Sequence, residues 1–362
     1  MLRNILDRLI YNDEYPKIDQ YLSDCNVRGR KGRSVRDNIF VLNAILNSIK
    51  RGNKESHDAQ VYDVKQCFDA LWLHECINAL YEAGMQNNKL NLLFLTNSSA
   101  NVAVKTSTGI SERENIMNIV MQGTVWANMF CVVLLDRLGK LVYNDPKLLY
   151  YYKNEVGIPP LEMVDDVLAI QKCGPESSRI NQVINTFMES EKLSLSEEKC
   201  HNIHIGKNKE SCRDLKVHNE KMHEASHERY LGDIIDKTGN QRATIKDRKS
   251  KGYGVVSQVM AITKEAPLGK WRVKSGLLMR DSWLINSMLF NAEAWHGIVK
   301  DDIEIFSRVD ESLLRGLVSS HSKVAKEALY LETGTTPIKY IWAARRLIYL
   351  QNILKRDTKK NL

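Results

Sequence analysis

The chain has 362 residues, 43% of them hydrophobic and 27% charged, with a formal net charge of +8. That composition is globular, leaves room for two or three domains, and excludes a disordered or fibrous chain. The seven cysteines are scattered, odd in number and without a CxxC pair, which points to reduced thiols in an intracellular protein rather than a secreted disulfide scaffold. Charges inside the first apolar run (Arg3, Asp7, Arg8) exclude a secretory leader. Residues 115–135 carry no charge over 21 positions, but Asn115, Asn118, Gln122, Gly123 and Asn128 interrupt them, so a buried strand–turn–helix is expected there instead of a membrane span.

In chain order, Leu2, Ile5, Leu6, Leu9 and Ile10 recur at helical spacing. Residues 28–36 then place five cations among two glycines and read as a basic loop. Ile39, Leu42, Leu46 and Ile49 predict a second helix, and 50–60 a polar connector. Residues 61–65 read as a buried strand, 71–81 and 88–95 as helices, and 102–106 and 116–121 as strands, with Ser107-Thr108-Gly109 as turn punctuation. Gln122-Gly123 opens a helix to about 138, and 161–170 suggests a hairpin with two aspartates at its tip. Ile180, Val183, Ile184, Phe187 and Met188 predict an amphipathic helix; Ile203 with Ile205, and 230–235, predict two more strands. After Asp236 the pattern is helical, at 243–263, 272–296, 301–318 and 337–356. Strands mixed with helices and then an all-helical tail imply an α/β (α+β) domain followed by a helical one, with no internal repeat.

Charge divides along the same line. Residues 1–235 hold 29 Lys+Arg against 31 Asp+Glu, a net of −2, while 236–362 hold 23 against 13, a net of +10. A basic module beside an acid-bearing one suits a polyanion held against a metal site. The acids that matter are Asp165 and Asp166, set between apolar residues, and Asp63, 102 residues upstream of Asp165 in its own apolar strand, where an unpaired charge is costly. Three carboxylates on two strands can bind a pair of divalent ions, the arrangement used for in-line phosphoryl displacement.

The order of these pieces resembles the reverse transcriptases of non-LTR (LINE-type) retrotransposons. Residues 62–72, Tyr-Asp-Val-Lys-Gln-Cys-Phe-Asp-Ala-Leu-Trp, are similar to the first palm motif of that family, in which an aspartate is followed five residues later by an aromatic. Met121-Gln122-Gly123-Thr124 resembles the second motif, Met163-Val164-Asp165-Asp166 the third, Leu195-Ser196-Glu197-Glu198-Lys199 the fourth, and Arg229-Tyr230-Leu231-Gly232 the primer-grip turn. Residues 28–34 look like the family's fingers motif, and 288–295 are similar to its thumb helix, so the resemblance covers roughly residues 1–300.

The resemblance implies a right-hand polymerase: partial fingers over 1–60, palm over 61–235 and a helical basic thumb or connection over 236–362. The implied activity is RNA-directed DNA polymerisation, adding dNTPs to the 3′-hydroxyl of a DNA primer on an RNA template. Two Mg²⁺ ions are implied, Mn²⁺ being a substitute, with Asp63 and Asp165 bridging them, Asp166 secondary and the Val64 carbonyl completing the nucleotide-side ion. Lys199 is implied as the proton donor to pyrophosphate, and Arg30, Lys31 and Arg33 as triphosphate or template-phosphate contacts. The resemblance further places Phe68 under the nucleotide sugar, Gln122 and Gly123 near the template base and incoming nucleotide, and Tyr230, Leu231 and Gly232 at the primer grip. No membrane or protein partner is implied, and the compartment is nuclear or cytoplasmic.

The chain departs from the family pattern in three places. It begins at the helix that follows the first fingers strand, as in an N-terminally truncated domain. Arg28-Gly29 replaces the usual Gly-Phe pair, and Trp126 stands where a smaller residue is common, in a position expected to crowd the template groove. These departures keep open a catalytically inactive remnant that only binds nucleic acid. A separate group, Cys200, His201, His204, Cys212, His218, His223 and His227, crowds 28 residues. His223-x₃-His227 matches half of a zinc pattern, but Cys200 and Cys212 are too far apart for the other half, so the segment reads as a polar connector.

Overall fold

The computed structural model describes residues 2–23, 26–27, 30–52, 55–117, 120, 124–206, 214–264, 270–321 and 323–360. The chain divides into two compact units, one of Met1–Asn38 with Ser48–Tyr230, the other of Ile39–Asn47 with Leu231–Leu362.

The first unit opens with helices α1 (Leu2–Tyr21) and α2 (Val35–Arg51), the middle of α2 belonging to the second unit. A capping box starts α2, the Ser34 N–H donating to Asp37 Oδ2 at 2.8 Å, which satisfies donors a helix start leaves orphaned. Strand β1 (His57–Asp63) follows, then α3 (Cys67–Ala70), α4 (Leu73–Glu82) and α5 (Asn87–Asn97). Two short ribbons come next, β2 (Ser99–Val102) with β5 (Glu114–Met117), and β3 (Lys105–Thr106) with β4 (Gly109–Ile110). Helix α6 (Val125–Tyr143) is apolar nearly all round and runs through the core, as such a helix must. After the ribbon of β6 (Tyr150–Tyr152) and β7 (Val156–Ile158) come β8 (Leu161–Met163), β9 (Asp166–Lys172), α7 (Pro175–Ser190) and β10 (His201–Ile205). Short strands β11 (Lys216–Val217), β12 (Glu220–Lys221), β13 (His223–Glu224) and β14 (His227–Tyr230) close the unit.

Five strands form the central sheet in the order β13-β10-β1-β9-β8. β1 lies in its middle, antiparallel to β9 on one side and β10 on the other. It starts at His57, inside the stretch expected to be a polar connector. The reason is a polar ladder that period-2 alternation puts on one face. Gln60 Nε2 donates to Ser177 Oγ at 2.7 Å, Asn181 Nδ2 donates to the Tyr62 hydroxyl at 2.8 Å, and Ser177 Oγ donates to Asp58 Oδ2 at 2.8 Å. Asp58 and Gln60 are wholly buried against α7 because each polar group there has a partner.

Trp126 does not crowd a groove. It is fully buried on α6, edge-on to Tyr11 at 5.5 Å, and its indole N–H donates to the Asp7 carbonyl at 3.1 Å. Trp126→Phe keeps most of the packing but removes that second hydrogen bond to a helix carbonyl, so we expect a loss of about 0.5–1.5 kcal/mol, read as a lower urea midpoint at unchanged slope.

Glu162, on β8, is completely buried near Asp136, and burial first and that neighbour second push its carboxyl well above the usual range. The folded state therefore favours the protonated form: the stability it contributes is full below the ordinary glutamate value of 4.5 and is lost as pH rises through the raised folded value. Melting against pH should show wild type losing up to about 1.4 kcal/mol per pH unit in that window, and Glu162→Gln should flatten the decline.

The second unit adds β15 (Asp233–Asp236), α8 (Arg242–Lys264), α9 (Lys270–Met279), a π turn (Arg280–Leu284), α10 (Ile285–Met288), a 3₁₀ turn (Ala292–Ala294), α11 (Lys300–Leu317), α12 (Lys326–Thr333) and α13 (Ile338–Lys360). The helix expected over 272–296 runs from Lys270 through the π turn, where the Arg280 side chain is drawn inside to a buried aspartate, and ends at Met288, ahead of Asn291 with φ +63°. Helix α12, ended by Gly334 at φ +63°, is too short for periodicity to reveal. Gly252 on α8 permits close packing, because a Cβ there would come within 3.0 Å of Met288 and Val309. No described helix is long and apolar enough to cross a membrane.

Candidate active site

The site is built at the end of β1. Asp63 is the last residue of that strand, and its direct cross-strand partner is Asp166, the first residue of β9. Met163 pairs with Asp166 across the β8–β9 hairpin, so Val164 and Asp165 form a two-residue turn and only Asp165, not both aspartates, sits at the tip. Val164 holds φ +63°, a left-handed conformation that costs a β-branched residue on the order of 1–3 kcal/mol. Its side chain is buried in the core, and that burial opposes relaxation of the turn.

A third segment completes the arrangement. The Lys65 N–H donates to the Ser194 carbonyl at 2.8 Å, Ser196 N–H donates to the Asp63 carbonyl at 2.9 Å, and Val64 bridges to Leu195. This pairing carries Lys199 to Asp63, with Nζ 3.2 Å from Oδ2. The Lys199 side chain is 68% exposed and that of Asp63 23%, so solvent screens the pair and it is worth at most about 1 kcal/mol.

Electrostatics single out Asp166. Burial first, then the charges of Asp165 and Asp63, push its carboxyl up to about 6, with Lys199 pulling the other way. Three carboxylates stand at one sheet end, and the charges of Asp165 and Asp63 disfavour ionisation of Asp166. Hard oxygen donors in that state suit Mg²⁺, which takes few protein ligands and keeps the rest of its shell for water and phosphate.

The other sequence-predicted residues fall in varied places. Val64 is buried immediately behind Asp63, and Phe68, on α3, is partly buried against the core. The Arg30 guanidinium is engaged locally: Nε donates to Asp19 Oδ1 at 3.0 Å, and its two terminal nitrogens donate to the carbonyls of Ser23 at 2.8 Å and Asp19 at 3.0 Å. Lys31 is exposed and its backbone N–H donates to the Tyr15 hydroxyl at 2.7 Å, while Arg33 is half-buried. Gln122 and Gly123 lie outside the described residues.

At the primer-grip sequence, Tyr230 is buried and its hydroxyl donates to the Leu161 carbonyl at 2.8 Å. Leu231 and Gly232 take φ +48° and +91°, so the strand expected over 230–235 is interrupted by a turn at these two residues, with Tyr230 and 233–235 in strands. Within the second unit that turn is gripped by Asn291, donating to the Leu231 carbonyl at 2.9 Å, and Arg248, donating to the Gly232 carbonyl at 2.8 Å. A Cβ at Gly232 would meet Phe290 at 2.9 Å, so only glycine fits.

Sequence reasoning overlooked two features near these acids. Cys67 and Cys131 place their sulfurs 3.1 Å apart in the core, and Asp58 stands buried five residues before Asp63. The polar alternation Asp58-Gln60-Tyr62 was the available signal for the second; nothing in the sequence pairs the two cysteines.

No protein-family model matches the chain, and none of the curated proteins does. Among solved structures the chain is similar to telomerase from Candida albicans in complex with a TWJ fragment of telomeric RNA, at 12% identity and TM-score 0.49 over 91% of this chain and 58% of that one. It is also similar to apo telomerase from Candida tropicalis, at 11% identity and TM-score 0.49 over 95% and 55%. The chain thus spans a little over half the length of these two structures.

Proposed function

We propose that the chain is a reverse-transcriptase-type nucleotidyltransferase of retrotransposon descent, an RNA-directed DNA polymerase. The observation that supports this reading most is the meeting of Asp63, Asp165 and Asp166 at one sheet end, from motifs 102 residues apart, with Lys199 from a third motif beside them. In this reading residues 1–60 are partial fingers, 61–235 the palm and 236–362 the thumb.

Asp63 and Asp165 would hold the cations, Asp166 would assist, and the Val64 carbonyl would complete the nucleotide side. Two bound Mg²⁺ ions supply neutralisation of the charge on the attacking and leaving oxygens. The pairing of 194–196 with the end of β1 keeps Lys199 next to Asp63, where it carries the proton for the leaving pyrophosphate. Phe68 lies against the nucleotide sugar, Lys31 and Arg33 meet phosphate, and Tyr230, Leu231 and Gly232 hold the primer end. Asp19 and two carbonyls already engage Arg30, so its part is to shape the basic loop.

The net charge of +10 over 236–362 also favours a second reading, a fold that binds nucleic acid without turning over. Primer extension on poly(rA)/oligo(dT), with Mg²⁺ and then Mn²⁺, separates the two. Extension supports the polymerase. Tight, salt-sensitive binding with no extension under either metal overturns it in favour of the binder.

A further inference from the structure

At the other end of β1 from Asp63, three different metal-ligating side chains converge. Asp58 and His204 are direct cross-strand partners on β1 and β10, and Cys173 follows β9, its N–H donating to the Ser56 carbonyl at 2.9 Å. His204 Nδ1 lies 3.3 Å from Asp58 Oδ1 and 3.8 Å from Cys173 Sγ, and the three donor atoms all lie within 4.8 Å of one another.

The geometry discriminates between chemistries. A nucleophile–base–acid relay uses both ring nitrogens of the histidine, one toward each partner. Here a single nitrogen faces both the thiol and the carboxylate, which is the arrangement of ligands around a common centre. Tetrahedral zinc, with bonds of roughly 2.0 Å to nitrogen or oxygen and roughly 2.3 Å to sulfur, sets ligand–ligand edges near ~3.3 Å for N···O and ~3.6 Å for N···S. The observed 3.3 and 3.8 Å are close to those edges.

The surroundings are those of a supported site. Asp58 is wholly buried, Ser177 Oγ donates to its Oδ2 at 2.8 Å, and Asn202 Nδ2 donates to its Oδ1 at 3.0 Å, so the carboxylate is oriented before any ion arrives. His204 and Cys173 are only partly buried, which leaves solvent access and a fourth position for water. A thiolate, an imidazole and a carboxylate together select a borderline-soft ion over Mg²⁺.

We infer that Asp58, Cys173 and His204 form a zinc site, closed by water, that ties β1, β10 and the end of β9 together. At strand rise it stands about 17 Å from Asp63, so it is separate from the acidic end and does not rest on the polymerase reading.

The test uses the full chain stripped with a chelator and titrated with Co²⁺. Expected is one equivalent of Co²⁺ with intense tetrahedral d–d absorption and a near-ultraviolet thiolate charge-transfer band, distinct from any weakly absorbing octahedral Co²⁺ at the acidic end. Zn²⁺ should bleach both, excess Mg²⁺ should leave them, and Asp63→Asn should not change them. Cys173→Ser should abolish the charge-transfer band, His204→Ala should weaken Co²⁺ at least 100-fold, and Ser177→Ala should weaken it 10–100-fold with the spectrum kept. The inference is overturned if the stripped wild type binds no Co²⁺. It is equally overturned if the charge-transfer band survives Cys173→Ser, or if it disappears instead in Cys200→Ser or Cys212→Ser. A mere His204–Asp58 ion pair predicts the first of these results.

Discussion

Asp63→Asn and Asp165→Asn are each expected to lower primer extension by three orders of magnitude or more while leaving the melting curve within a few degrees of wild type. In the proposed reading the charge removed is what would hold the cations, and phosphoryl transfer depends above all on stabilising the charge that builds up in the transition state. Among the described residues Asp63 pairs with a largely solvent-exposed lysine, and the charges of Asp165 and Asp63 help push Asp166 up to about 6, so neutralising either one relieves repulsion at Asp166. Single-turnover extension by either variant at the wild-type rate would remove the site from consideration. Lys199→Ala is the informative companion, because in the proposed reading it removes the proton donor and should lower the maximal rate without weakening template–primer binding.

The second large effect concerns stability. Arg280 and Asp310 are buried in the helical unit and joined by two hydrogen bonds, Nε to Oδ1 at 2.6 Å and a terminal nitrogen to Oδ2 at 2.8 Å. The Tyr330 hydroxyl donates to Asp310 Oδ2 at 3.1 Å, and Arg280 donates to the Thr336 carbonyl at 2.8 Å. Arg280→Met leaves a carboxylate without its counter-charge in the interior, and we expect a loss of about 3–5 kcal/mol. Arg280→Met combined with Asp310→Leu removes both charges, and the pair should be less destabilised than Arg280→Met alone. Urea denaturation of the four proteins in a double-mutant cycle measures this. If the double variant lost the sum of the two single losses, the pair would not be coupled as its geometry requires.

Much of the fold was legible because period and punctuation are local properties. Helices α2, α5, α7, α8, α11 and α13 lie where apolar residues recur at helical spacing, and β10 where Ile203 and Ile205 alternate. The element starts were less legible. β1 begins at His57 because Asp58 and Gln60 find hydrogen-bond partners on α7, and no local rule distinguishes a buried, satisfied polar residue from a connector. The helix expected over 272–296 stops at Met288, short of its expected end, where Asn291 turns left-handed and donates to the Leu231 carbonyl 60 residues earlier in the chain.

By itself the sequence determined which residues are candidates for the chemistry: aspartates in apolar strands, a lysine at 199, a basic last third. These are consequences of hydrophobic period and charge, which each segment carries alone. Only the tertiary structure decided who meets whom. Strand register sets Asp63 opposite Asp166, a left-handed valine puts Asp165 at the tip of the hairpin, and Asp19 takes up the Arg30 guanidinium. His204, which in sequence belongs with the histidines and cysteines around it, is placed by the β1–β10 pairing beside Asp58 and Cys173 instead. Register is set by packing across the whole sheet, so pairings of that kind exist only once the sheet has formed.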